Sequence, residues 1–240
     1  RAGPGLTVAD EEVVEYRQPR FRRPPGATEL LLVRHGESEP ARDDRPFELV
    51  DGQGDPALHP EGRLQAERIA ERLLVEDISA IYVSNLRRTS ETAAPLAAKL
   101  GITPVVDPDL REVHLGEWEG GAFRRHVAEG HPIALRMRTE QRWDVVPGAE
   151  PADAFAERLR RAVTSITARH PDQVVAVFSH GAAIGQILAL ATGARAFSFG
   201  GSDNGSISHL VVLGDAWILR RYNDTTHLDP RFSVAPEPLT

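Results

Sequence analysis

Leu30-Leu31-Leu32-Val33-Arg34-His35-Gly36-Glu37 is the stretch whose reading decides the fold. Its four apolar residues read as a strand buried on both faces, the kind found in parallel sheets covered by helices. The run stops at a guanidinium, an imidazole, a glycine and a carboxylate. In an open α/β sheet ligands sit beyond the carboxyl ends of the strands. Arg34 and His35 are therefore expected at a sheet edge, facing a crevice. Packing alone would allow one strand to end in polar residues. A second stretch has the same form, however: Val174-Val175-Ala176-Val177-Phe178 runs into Ser179-His180-Gly181. Two apolar strands that each deliver a histidine followed by glycine are hard to explain by packing.

Outward from the first strand, Ser38 to Leu58 reads as a long loop rich in Asp, Arg, Pro and Gly. Loops of this length inside compact domains are commonly functional or mobile. His59-Pro60-Glu61 opens a helix, with proline and an acid in its first turn. Leu64, Ala66, Ile69, Ala70, Leu73 and Leu74 form its apolar face. Ile78 to Val83 is a short strand ending in Ser84-Asn85-Leu86-Arg87-Arg88-Thr89, and the helix after it runs to Leu100 with Gly101 as the stop. Thr103 to Val106 reads as another strand, leading to Asp109-Leu110-Arg111-Glu112 and Gly116-Glu117-Trp118-Glu119-Gly120. Residues 121–150 are irregular, and about 113–150 is expected to be an insertion over the strand ends. Ala152 to Arg169 is an amphipathic helix, and a small-residue helix runs from Gly181 to about Ala191. Ser206–Leu213 and Ala216–Tyr222 flank Gly214-Asp215, a hairpin signal. The expected fold is a three-layer αβα, doubly wound domain over 28–228, with a mostly parallel mixed sheet and helices on both faces. Residues 1–27, acidic then basic and proline-rich, read as an extended arm, and 229–240 as a peripheral tail.

The chain has 240 residues, 41% of them hydrophobic, which suits one sizeable α/β domain. It has no Cys, so thiol catalysis, disulfides and cysteine metal sites are excluded. A net charge of -7 argues against general nucleic-acid binding but leaves room for a local cationic pocket and an anionic substrate. No apolar run approaches the roughly 18 residues of a membrane span. The expectation is a cytoplasmic protein that acts on a small molecule, with neither nucleic acid nor membrane as partner. The N-terminal arm could wrap a second copy, so a homodimer is among the expected states.

The strand ends are expected to bring together Arg34, His35, Arg88, Glu112 and His180. Two guanidiniums side by side repel unless a dianion bridges them, and arginine suits bidentate phosphate binding. Gly181 opens a helix whose N-terminal amides also favour an anion. No Walker-type loop and no HExxH spacing is present, and no metal is expected. Were one bound, His35, His180 and Glu112 would be its ligands. Without a metal, cleaving a phosphate ester needs a protein nucleophile and an acid for the leaving oxygen. Serine or aspartate could attack in principle, but the sequence offers an imidazole flanked by arginine. The cations would keep His35 neutral and would spread the charge of the transferring phosphoryl group. Glu112 would protonate the leaving oxygen.

Arg34-His35-Gly36-Glu37 resembles the RHGE signature of the histidine phosphatase superfamily, which includes the cofactor-dependent phosphoglycerate mutases. Four further segments are similar to family segments, in order and spacing: Asp55 to Ala66, Ser84 to Ala93, Leu110-Arg111-Glu112 with Gly116 to Gly120, and Phe178-Ser179-His180-Gly181. The resemblance implies His35 as the phosphorylated nucleophile. It implies Arg34, Arg88 and His180 as the phosphate clamp and Glu112 as acid and then base, with no metal or other cofactor. Many members have Asn where this chain has Ala41, so either Arg42 or Ser38 compensates or the pocket is weakened, and Ser38 and Gly181 are expected to bind substrate. The stretch from Glu112 to His180 looks short for a mutase. The reading is a phosphomonoesterase acting on a small phosphorylated substrate through a phosphohistidine. Its alternatives are mutase-type phosphotransfer and a non-catalytic phospho-ligand-binding module. His59, His126 and His131 are expected on the surface or in loops, His114 nearer the site, His209 in a structural role and Trp118 in the core. Arg87 is expected to face solvent or support Arg88.

Overall fold

The structure, a computed structural model, describes residues 15–231. Residues 1–14 of the expected arm and 232–240 of the expected tail lie outside them. The elements in chain order are β1 (Thr28–Arg34), β2 (Leu49–Val50), β3 (Gln53–Gly54), α1 (Pro60–Leu73), β4 (Ile78–Val83), α2 (Arg87–Leu100) and β5 (Val105–Val106). They continue with α3 (Ala122–Ala128), α4 (Pro132–Glu140), α5 (Ala152–Arg169), β6 (Val174–Ser179), α6 (Gly181–Thr192), β7 (Ile207–Leu213) and β8 (Ala216–Asp224). The main sheet has the order β5-β4-β6-β1-β7-β8. Its first four strands are parallel, and β7 and β8 add an antiparallel edge.

Side chains alternate across a strand, and β1 shows what that does here. Leu30 and Leu32 pack with Phe155, Leu159 and Val163 of α5 and Ile184, Ile187 and Leu188 of α6. Leu31 and Val33 pack on the other face with Ile69 and Leu73 of α1 and Ala93 and Leu96 of α2. The sheet is therefore covered on both sides, which is why its central strands read as unbroken apolar runs.

The parallel register of β1 and β6 pairs Arg34 with Ser179. The next residues, His35 and His180, consequently leave the sheet side by side. β4 ends on the other side of β6, with Val83 opposite Phe178, and so delivers Ser84 and the start of α2 to the same edge.

Two stretches are more ordered than their sequence suggests. Residues 121–150 hold α3 and α4, the second started by His131, whose Nδ1 accepts the Ile133 amide at 3.2 Å. The 38–58 loop holds a small hairpin, β2 with β3, around Asp51 and Gly52. Asp55 stitches that loop down by accepting the Arg87 amide at the start of α2, and Glu91 does so by accepting the Leu58 amide. Among the described residues no helix is long and apolar enough to cross a membrane.

Candidate active site

His35 and His180 are both buried, their ring centroids 5.1 Å apart and inclined at 62°. His35 Nδ1 lies 2.7 Å from the carbonyl oxygen of Gly36. A carbonyl can only accept, so Nδ1 carries the proton and Nε2 keeps its lone pair. Arg88 Nε donates to that Nε2 at 3.2 Å. Burial, then the charges of Arg88 and Arg34, pushes His35 well below the usual 6.5. His180 is pushed down in the same way, by burial first and then by Arg88, His35 and Arg34. Both rings are therefore neutral near pH 7.

The main chain of His35 is fixed from three sides. Its amide donates to Ser179 O, its carbonyl accepts from Asn204 Nδ2 at 3.0 Å, and the Gly36 amide donates to Thr92 Oγ1. Thr92 Oγ1 in turn donates to Arg88 O, which ties the His35–Gly36 peptide to the helix that carries Arg88. Gly36 and Gly62 let α1 press against this turn. A Cβ on Gly62 would stand 2.0 Å from Glu37 O.

Arg88 is almost wholly buried, and burial brings its pKa down to about 10. Its NH1 donates to Gly54 O, and the Asp55 carboxylate stands 4.0 Å off. Arg34 donates through NH1 to Ser202 O, while its buried Nε has no partner in the protein. Gly181 lies directly beside that guanidinium, where a Cβ would touch Arg34 Nε at 3.4 Å. His180 Nε2 is 2.8 Å from Ser84 Oγ, and its buried Nδ1 is unpartnered.

Glu112 sits over the start of α6. Its Oε1 accepts the amides of Val113 and Ala183 at 3.0 Å each, and its Oε2 accepts that of Ala182 at 3.1 Å. Two of the helix amides expected to await a phosphate thus hold this carboxylate instead, as the dipole favours. Among the described residues no group of His, Asp and Glu is placed to hold a metal ion. Behind Glu112, the buried Arg158 uses all its donor positions on Glu150 and on the carbonyls of Asp109, Arg111 and Glu112.

The five residues expected to converge do so, and the structure adds a sixth residue and third guanidinium, Arg124 of α3. Its NH2 donates to Ser38 Oγ at 2.7 Å and its NH1 to Glu39 O at 2.8 Å. Its charge reaches His35 and Arg88. Ser38 thus holds Arg124 at the pocket mouth. Arg42 does not take the place of the missing amide at Ala41, because it is paired to Asp44 in the exposed loop at 2.7 Å. His59 caps α1, and His114 accepts the Gly116 amide. His126 and His131 pack against buried Trp118, while His209 pairs with Glu29 at 2.7 Å. Arg87 pairs with Glu91 on the surface. Arg124, Asn204, Thr92 and Arg158 were not found from the sequence, because none belongs to a strand end followed by a polar run. Position 158 did carry a signal, falling between Phe155 and Ala162 on the apolar face of α5.

Comparison with known proteins gives concordant findings. A model of the histidine phosphatase superfamily (branch 1) matches residues 30–225. Phosphoglycerate mutase-like protein 4 of Arabidopsis thaliana is 35% identical over 208 residues, 84% of this chain and 87% of that one. A metal-independent phosphoserine phosphatase of the same plant is 32% identical over 205 residues, 84% of this chain and 83% of that one. Among solved structures, a mycobacterial glucosyl-3-phosphoglycerate phosphatase superimposes with a TM-score of 0.69 at 30% identity, covering 81% of this chain and 98% of that one.

Proposed function

The chain belongs to the histidine phosphatase superfamily, and from that premise we propose that it hydrolyses small phosphomonoesters through a phosphohistidine on His35. The observation that carries the reading is the pairing of His35 Nδ1 with Gly36 O while Arg88 stands on Nε2. That arrangement presents a neutral, unprotonated Nε2 to a substrate whose phosphoryl oxygens draw Arg88 and Arg34 to themselves.

In the first step Nε2 attacks phosphorus as the ester P–O bond breaks. Protonated Glu112 gives its proton to the leaving oxygen, so the alcohol departs neutral. Arg34, Arg88 and His180 take the charge of the three non-bridging oxygens. In the second step Glu112 accepts a proton from water, the water oxygen attacks phosphorus, and the P–N bond breaks to release inorganic phosphate. Oε2 of Glu112, with one amide partner, keeps a lone pair for that proton.

The reading includes a cytoplasmic location and a small-molecule partner. The phosphatases among the relatives are named for phosphoserine and for a phosphoglycerate derivative, which makes phosphorylated metabolites the first substrates to try. The decisive experiment supplies 4-nitrophenyl phosphate and quenches in base. Acid-labile phosphate on His35 and release of inorganic phosphate are expected, and both are expected to vanish in His35→Ala. Turnover retained in that variant would sink the mechanism. Transfer of the phosphoryl group to a second alcohol in place of water would make the protein a mutase.

A further inference from the structure

Arg34 and His35 are held partly by a turn outside β1, formed by residues 202–205 shortly before β7. Ser202 O accepts from Arg34 NH1, and the Asn204 side-chain amide donates to His35 O. The Gly205 amide donates to Arg34 O at 3.1 Å and His35 O at 3.3 Å. Between them, the charge of Asp203 reaches Arg34. What grips this turn in its place is the end of β8.

β8 is irregular there. Ile207 of β7 lies opposite Asp224 and His209 opposite Arg221, so Tyr222 and Asn223 together face the single residue Ser208. The extra residue is a β-bulge, a device that re-aims side chains. Asn223 has a φ of 54°, the left-handed region that asparagine visits more readily than most residues. Its amide donates to Ser208 Oγ at 3.2 Å. Successive side chains of a regular strand point to opposite faces, but here both reach one segment. Tyr222 OH donates to Phe199 O at 2.9 Å, and Asn223 engages Asp203. The second contact is reciprocal. The Asp203 amide donates to Asn223 Oδ1 at 2.7 Å, and Asn223 Nδ2 donates to the Asp203 carboxylate at 2.8 Å. Four residues on, His227 Nε2 lies 3.0 Å from Gly205 O. That carbonyl can only accept, so Nε2 carries the proton. The turn is thus held at Asp203 and again at Gly205, on either side of the Asn204 amide that fixes His35.

We propose that Asn223 and His227 are positioning residues for the phosphoryl transfer, which set the aim of Arg34 and the seat of His35 by fixing the 202–205 turn. The proposal rests on the phosphatase reading for the reaction, and it gives the β8 bulge a role beyond holding the sheet edge.

Asn223→Ala removes both bonds to Asp203. With 4-nitrophenyl phosphate its kcat is expected to fall about tenfold, where a full 1 Å displacement would cost on the order of a hundredfold, with KM changed by less than about threefold. The Nδ1 proton resonance of His35 is expected to shift in the same variant. Asn223→Asp should do as much harm, since it sets a carboxylate against that of Asp203. Asn223→Asp/Asp203→Asn should recover most of the rate by restoring the pair in reverse. His227→Gln, which keeps a donor at the same reach, is expected to retain the rate that His227→Ala loses. A merely structural brace would lower Tm and leave both kcat and the His35 resonance as they are, and that result would overturn the proposal. So would an exchanged pair that restores Tm without the rate. If the native protein released no phosphate from 4-nitrophenyl phosphate, the phosphatase reading would fall. The His35 resonance, which needs no turnover, would still decide whether the bulge positions the ring.

Discussion

Replacing Arg158 with Met removes the anchor behind Glu112 while nearly keeping its length. The Arg158 side chain is 3% exposed, and its Nε and NH2 reach the two Glu150 oxygens at 2.7 and 2.8 Å. Its other donors hold Asp109 O at 2.7 Å, Arg111 O at 2.8 Å and Glu112 O at 2.8 Å. Methionine leaves the largely buried Glu150 carboxylate with the His114 amide as its one remaining hydrogen-bond donor. Breaking a buried ion pair from one side costs roughly 3–5 kcal/mol. The stripped carbonyls add to this, but Glu112 O keeps Gln53 Nε2 at 2.9 Å, so the terms overlap. A loss of about 4 kcal/mol is expected, or roughly 8–16 °C in Tm for a chain of this size. Urea and thermal unfolding would measure it. Arg158→Met/Glu150→Leu should recover about half, because no orphaned charge remains.

The pH dependence has a definite sign. Burial alone would raise the Glu150 carboxyl, but the hydrogen bond and charge of Arg158 outweigh it and hold the group below 4.5. A carboxyl depressed by folding adds stability above its unfolded pKa and loses it as pH falls through the folded value. The gap between wild type and Arg158→Met should therefore narrow below about pH 4.5. Arg158→Lys should not rescue, since an ammonium lacks the fork. A loss under about 1 kcal/mol, or a gap that stays constant down to pH 3, would refute the account.

Three further outcomes are expected, for the His35 ring, for stability below pH 6.5 and for Gly62. Long-range proton–nitrogen NMR of the imidazoles should find His35 neutral at pH 6.5 with its proton on Nδ1, and Arg88→Gln should raise the pH at which the ring takes up a second proton. Because His35 and His180 are both depressed by folding, stability should also decline as pH drops below 6.5. A ring charged at pH 6.5 would contradict the proposed nucleophile. Gly62→Ala should cost about 3 kcal/mol and most of the turnover, since its Cβ would meet backbone at Glu37 that cannot rotate away. A variant with native stability would show that α1 does not brace the His35 turn.

What could be read from the sequence follows from how each part is encoded. A strand buried on both faces has to be apolar throughout, so β1 and β6 announce themselves, and polar residues at their ends stand out. Arg88 was legible because it follows β4 directly. The β2–β3 hairpin has two-residue strands, too short for alternation to show, and only Asp51-Gly52, both with positive φ, marks its turn. Arg124 and Asn204 come from segments whose sequence is ordinary surface. They enter the site by tertiary packing, through Ala41 beside Gly121 and through the turn before β7, and no local pattern records that.

The same register that pairs the strands also sets the charge state of the two buried imidazoles. Arg34 opposite Ser179 places His35 beside His180, so two imidazoles share one dry edge with two guanidiniums. If either ring were charged it would face both Arg34 and Arg88, and neutrality is the cheaper state for both. A slip of one residue between β1 and β6 would turn His35 to the other face of the sheet, and each apolar residue of β1 would lose its helix partner with it. The packed core and the placing of a neutral His35 beside His180 therefore rest on one geometric fact. A chain that keeps the α1–α2 and α5–α6 faces intact has little freedom to misplace its two histidines.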